Sequence, residues 1–197
     1  MDKTPNRESY IKQLEKLRSI IEDTNDRIIA EVPDPLIYNN ANFFTKAFLI
    51  TMCAYLESYL KDSLMTIVDS TNAKLVSANL PHNLIMWSFG IRKEVKETDL
   101  KYESLKLEIK KKDIDDHISG NPFKTKDLFK KFGIELEKNF NFNIQKEEIN
   151  SIVVKRNKIL HHNDDASDVS NKDLVDNIIA LKNYILNIDE IICSHLA

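Results

Sequence analysis

The stretch NANFFTKAFLITMCAYLESYLKDSLMTIVDSTNAKLVSANLP, residues 40–81, holds no glycine and no proline before Pro81. One stripe of it reads Phe43, Ala47, Ile50, Ala54, Glu57, Lys61, Leu64, Val68, at the steps of three and four that place residues on one face of a helix. The spacing predicts a long helix from about Asn39 or Asn40 to Leu80, stopped by Pro81. Glu57 interrupts an otherwise apolar face. A carboxylate there is costly unless paired, and Lys61 one turn on, or an arginine from another helix, would pair with it.

The remainder of the chain supports the same class. Three glycines occur in 197 residues, so turns are few and helices long; average usage would give about fourteen. Pro5, Pro33, Pro35, Pro81 and Pro122 fall between the periodic stretches rather than inside them. A first helix is expected from about Arg7 to Ala30, with Tyr10, Leu14, Leu17, Ile20 or Ile21 and Ile28 at helical spacing, ended by Pro33-Asp34-Pro35. A shorter helix is expected at Lys126 to Phe132, closed by Gly133 as its C-cap. A third core helix is read from about Lys146 to His162, with Ile149, Ile152, Val153 and Leu160 as its apolar positions, broken by Asn163-Asp164-Asp165. Ser170-x-x-Asp173 then supplies a capping box for a last helix carrying Leu174, Ile178, Leu181, Ile185, Ile188 and Ile192. Four substantial helices, with a partly helical insertion at about 81–143 between the second and third, predict a single all-α domain built as an antiparallel four-helix bundle.

Composition excludes several classes. The length suits one domain with a real core, and two would be crowded. Charges run through Met1 to Ile20, so no signal-peptide core can be drawn, and the longest uncharged apolar run, between Lys46 and Glu57, is too short to span a bilayer. A soluble, cytoplasmic protein with no membrane contact is expected. Cys53 and Cys193 have no paired spacing and read as buried small hydrophobes. Net charge is −3, so affinity for nucleic acid has to come from a local basic surface. Between Ile91 and Gly120 eight basic and eight acidic residues alternate, the composition of a solvated face rather than of a nucleic-acid arm. No glycine lies in a phosphate-loop pattern, which removes Rossmann, kinase and nucleotidyltransferase readings.

The chemistry-bearing segment is Arg156-Asn157-Lys158-Ile159-Leu160-His161. Arg156 follows Ile149, Ile152 and Val153 at spacings of seven, four and three, so its stem rises from the bundle-facing side and its head is expected to project from the core. Asn157 and His161, four apart, share the adjacent stripe. Cutting RNA without a metal needs a base for the 2′-hydroxyl proton, an acid for the 5′-oxygen and a cation facing the phosphorane. Histidine suits the first two roles and arginine the third. One chain offers one strong histidine for two proton transfers, which predicts a homodimer with paired motifs. Lys155 and Lys158 flank the motif as candidate RNA contacts. Lys130 and Lys131 are added from the mostly basic cluster of Lys124, Lys126, Lys130 and Lys131. No cofactor and no metal site is expected; Asp164, Asp165 and Asp168 are better explained as capping groups for the next helix.

Arg-Asn-x-x-x-His near the end of a penultimate helix, with a glutamate inside the apolar face of a long second helix (Ala54-Tyr55-Leu56-Glu57-Ser58-Tyr59), resembles the HEPN superfamily, and more closely its small stand-alone prokaryotic nucleases of the MAE type. The resemblance covers about residues 7–80 and 146–196 and is loose over the insertion. It implies Arg156 and His161 as the catalytic pair, Asn157 as their support, Glu57 as a supporting carboxylate, and two subunits bringing their motifs together. His162 also satisfies the family's looser spacing and stands as the alternative to His161. The activity implied is a metal-independent endoribonuclease acting on RNA, of the kind used as toxins or effectors in prokaryotic defence, with a cognate antitoxin or defence-system partner. The competing expectation is a non-catalytic HEPN-like module that binds RNA, a nucleotide or a partner protein.

Overall fold

A computed structural model describes residues 3–89, 97, 100–115, 117–162 and 165–197. Its helices are α1 Arg7–Ile29, α2 Pro35–Asn39, α3 Ala41–Ala78, α4 His82–Ser88, α5 Lys111–Asp115, α6 Pro122–Lys131, α7 Phe140–His162 and α8 Asn171–Leu196. The fold is all-α, and the one extended pairing among the described residues is an isolated bridge between Pro81 and Ser104. None of these helices is long and apolar enough to cross a membrane.

Cross-helix pairs fix the directions. Thr4, Glu15 and Asn25 on or before α1 meet Asp189, Lys182 and Asn171 of α8 in reverse order, so α1 and α8 are antiparallel. Tyr59 and Lys74 of α3 meet Asp189 and Leu196 in the same order, so α3 runs parallel to α8. Phe142 faces Tyr184 near the start of α7 and Lys155 reaches Asp168 near its end, which turns α7 antiparallel to α8. The result is the expected antiparallel bundle of α1, α3, α7 and α8, with α8 packed against the other three.

Helix ends follow local chemistry. Ser170 and Asp173 form the capping box in both directions. At the end of α6 the Gly133 amide bonds the Lys130 carbonyl and the Ile134 amide bonds that of Phe129, a Schellman closure with glycine at φ +78° and Ile134 buried. Three starts differ from expectation. Helix α6 begins at Pro122 rather than Lys126, because the Asn121 side chain accepts from the Phe123 and Lys124 amides and proline suits the first turn. Helix α7 begins at Phe140 rather than Lys146, where Asn139 accepts the Phe142 amide and Phe142 is buried. Pro35 does more than end α1: Asp34 caps α2 through the Leu36 and Ile37 amides.

The apolar stripe of α3 divides. Leu64 and Val68 are buried, but Phe43 is 66% exposed, Ala54 is exposed, and Ala47 and Ile50 are half-buried. The core face there is the neighbouring one, carrying Leu49, Met52, Cys53, Leu56 and Leu60. On α7, Ile159 rather than Leu160 enters the core, and Leu160 is 49% exposed. At 38 residues α3 outruns α1 and α7, each of 23. The insertion covers the overhang, with Ile114 of α5 buried in the core and Lys61 of α3 paired with Asp115.

One carboxylate ties three parts of the bundle together. Asp189 is fully buried on α8 and accepts from the Thr4 amide at 3.2 Å, the Thr4 hydroxyl, the Tyr59 hydroxyl at 3.2 Å and Arg7 Nη1 at 3.4 Å. Asp189→Ala strands these donors, of which the buried Tyr59 hydroxyl and Thr4 amide weigh most. Buried unsatisfied groups cost about 1–3 kcal/mol each. The expected loss of about 3 kcal/mol lowers Tm by about 6–12 °C for a domain of this size, read by thermal circular dichroism. A change below about 2 °C would show that Asp189 does not hold the N-terminal segment.

Candidate active site

Arg156 lies on the α7 face that also carries buried Ile149, Ile152 and Ile159. From there its guanidinium crosses to α3, where Nη2 donates to Glu57 Oε1, while Nη1 donates to Asn157 Oδ1 at 3.0 Å. The Arg156 side chain is 14% exposed and that of Glu57 28%. The head therefore does not project from the core as the spacing suggested. Having emerged on the bundle side, it is turned inward by the only kind of group that makes burial of a cation tolerable, a carboxylate. Lys61 is not the partner of Glu57, since it is engaged by Asp115.

Cys53, one turn before Glu57, lies against the same guanidinium. Burial pushes its thiol up to about 11, with Arg156 acting the other way. At neutral pH it remains a thiol, which rules it out as the nucleophile.

A residue not singled out from sequence completes the support. A Cβ built on Gly120 would come within 3.3 Å of Val153 Cγ2 and 3.4 Å of Glu57 Cγ, so glycine lets the chain pass close over both. Asn121 then bonds Asn150 at 2.9 Å and α6 starts. The available signal was Gly120-Asn121-Pro122, a glycine directly before a cap-and-proline helix start.

The histidines stand apart from this cluster. His161 and His162 are exposed and have no hydrogen-bond or ion-pair partner among the described residues. Around α7, His161 lies about 40° from Asn157 but about 140° from Arg156. Within one chain, then, the fold gathers Arg156, Asn157 and Glu57 and leaves both histidines in solvent. Leu160, directly before His161, is exposed, and on α3 Phe43 and Ala54 are exposed on the helix that carries Glu57.

Of the candidate RNA contacts, Lys158 is exposed beside the motif and Lys155 is paired with Asp168. Lys130 lies 3.5 Å from Glu137 and 3.9 Å from Asp127. Lys131 lines a cavity with His195, at the end of α8 that lies level with the start of α7, so the α6 lysines are at the other end of the bundle from His161. Asp165 accepts from the Ser167 amide and hydroxyl, a local turn. Asn163 and Asp164 lie outside the described residues. Among the described residues no group of three or more His, Cys, Asp or Glu side chains is gathered to hold a metal ion.

The buried pair has a stability consequence opposite to a surface motif's. Glu57→Ala leaves a mostly buried guanidinium unpaired, and Arg156→Ala leaves a half-buried carboxylate. Each is expected to cost about 1–3 kcal/mol in urea unfolding. The double variant is expected to cost clearly less than the sum, with a coupling above about 1 kcal/mol. Additive single effects would show that the two groups do not hold each other.

Against known families, the RiboL-PSP-HEPN family model matches residues 6–194. No curated protein and no solved structure gives a significant match. The match takes in all four bundle helices almost end to end, the Arg156–Glu57 pair and the insertion between α3 and α7. The chain belongs to the HEPN superfamily, through its RiboL-PSP-HEPN family.

Proposed function

We propose that this chain is one HEPN-like domain, with residues 81–143 as an insertion, and that it acts as a metal-independent endoribonuclease whose site is completed by a second copy. The observation that carries the reading is the clamped Arg156. A guanidinium held by Glu57 on one side and Asn157 on the other has its remaining N–H groups fixed in direction before any substrate arrives. Such preorganisation is what stabilises the extra charge on a phosphorane. His161, exposed and on the same stripe as Asn157, has no partner among the described residues to hold its imidazole away from an incoming 2′-hydroxyl or 5′-oxygen. In the reaction the 2′-oxygen bonds the phosphorus as its proton goes to one imidazole. The bond to the 5′-oxygen then breaks as that oxygen takes a proton from a second imidazole, leaving a 2′,3′-cyclic phosphate.

Two imidazoles are needed, and one chain brings one strong candidate, His161. Exposed Phe43 and Ala54 on α3 and exposed Leu160 on α7 are apolar positions on which a symmetric partner can close. His162 serves as the alternative to His161, and Lys158 is the lysine best placed to meet RNA. Restraint by a cognate antitoxin, or use within a defence system, fits a nuclease of this kind and would occupy the same surface. The low exposure of Arg156 favours one other reading, a non-catalytic RNA-binding or partner-binding module in which the pair only holds α3 to α7.

The two readings separate by experiment. Cleavage of single-stranded RNA is expected to survive EDTA, spare DNA and 2′-O-methyl RNA, and leave cyclic-phosphate ends by mass spectrometry. His161→Ala, at an exposed position, is expected to lose about 10²–10⁴-fold in rate with stability changed by less than about 0.5 kcal/mol. Phe43→Glu is expected to give a folded monomer by light scattering with activity lost alongside. Wild-type cleavage in His161→Ala/His162→Ala, or full activity in a monomer, would overturn the composite histidine site, and RNA binding with no cleavage by the wild-type protein would leave only the module reading.

A further inference from the structure

At the end of the bundle away from Arg156 and His161, the overhang of α3 and the insertion enclose a cavity of about 450 Å³. Its walls are Ile67 and Val68 of α3, Leu107 and Ile114 of the insertion, and Leu128 and Phe132 at α6. That volume is within the range that holds a small organic molecule. The mouth is different in character: Lys131, His117 and His195 line it beside Asp113. His117, Leu128 and Lys131 also line an adjoining cleft of about 300 Å³, to which Ser119, Lys124 and Asp127 contribute.

Two observations give this mouth a sign. Lys124 and Lys131 have no carboxylate partner among the described residues, whereas Asp127 has Lys130 at 3.9 Å; Asp113 accepts the neutral Lys110 amide at 2.7 Å and keeps its charge. Two unpaired lysines against one unpaired carboxylate leave the balance positive. Independently, Ser119 Oγ is buried at the cleft with no hydrogen-bond partner among the described residues, an unusual state for a buried hydroxyl.

We propose that the cavity is a binding site for a small amphipathic anion, its apolar body between α3 and the insertion and its carboxylate or phosphate on Lys131 and Lys124, with the Ser119 hydroxyl donating. The site stands whether or not the chain cleaves RNA. It has a route to the Arg156 end all the same. His117 and Ser119 are three residues and one residue from Gly120, which packs on Glu57, so a ligand that orders this segment presses on the carboxylate that holds Arg156.

Calorimetric titration of the full chain with decanoate, decyl phosphate, decanol and decyltrimethylammonium, each below its micelle concentration, tests the site. Both anions are expected to bind one site about tenfold or more tighter than decanol, the gain of charge-assisted hydrogen bonds, and the cation not at all. Their order identifies the head group. Lys131→Glu, at an exposed position, is expected to remove the anion's advantage and leave decanol binding. Thr71→Trp, which fills the cavity from its α3 wall, is expected to remove all binding while circular dichroism shows both variants folded. Hydrogen exchange at residues 117–120 is expected to slow with ligand. No binding, equal binding of decanol and decanoate, or affinity unchanged in both variants would overturn the proposal.

Discussion

A helix of 38 residues cannot be covered along its whole length by antiparallel partners of 23, and most of this molecule follows from how α3 deals with that mismatch. At its C-terminal end, where α1 and α7 do not reach, the insertion folds over it and buries Ile114 against the core. The cover is made of short pieces and an irregular chain, so it meets α3 with less complementarity than a helix would, and a cavity remains. Nearer its N-terminal end α3 keeps its partners but leaves one flank open, from Phe43 to Ala54. The two ends of one helix thus carry two unlike surfaces.

Between them sits the ion pair of Glu57 and Arg156. A charge pair this sheltered is seldom a source of stability, because the desolvation of both groups offsets their attraction. What it supplies is orientation: each side chain becomes the only tolerable partner for the other, so their heads cannot wander. Asn157 and Gly120 narrow the choice further, one by accepting from the second guanidinium nitrogen and the other by letting the chain pass close over Val153 and Glu57. For a group proposed to meet a phosphate, the cost is exposure, and Arg156 has little of it.

Much of this was legible because it is local. The capping box at Ser170, the left-handed closure at Gly133 and the stripe of α8 are written within a few residues of where they act. Periodicity could place a stripe on α3 but not say which of two adjacent faces would be covered, since that depends on helices far away in the chain. The same holds for Ile159 and Leu160, both apolar and adjacent, one chosen for the core by packing alone. Glu57 was conspicuous as a carboxylate among apolar residues, yet its partner lies 99 residues on. Asp189 carried the same signal among Ile185, Ile188 and Ile192 and was passed over. Read with the rule applied to Glu57, it announces a buried acceptor that some other part of the chain must satisfy.

That acceptor has a consequence for how the chain comes to be folded. Thr4 is bonded by a residue 185 positions later, the longest loop closed by a hydrogen bond among the described residues. During synthesis α1 and α3 are made long before Asp189 exists, and they can pair through Tyr10 and Asp62, but neither the first turn of α1 nor the Tyr59 hydroxyl has its acceptor. Arg156 and Glu57 can meet earlier, once α7 is made. The bundle is locked only by its last helix, so the contacts that hold its first residues are the last to form, and the nascent chain keeps an open apolar seam until α8 arrives.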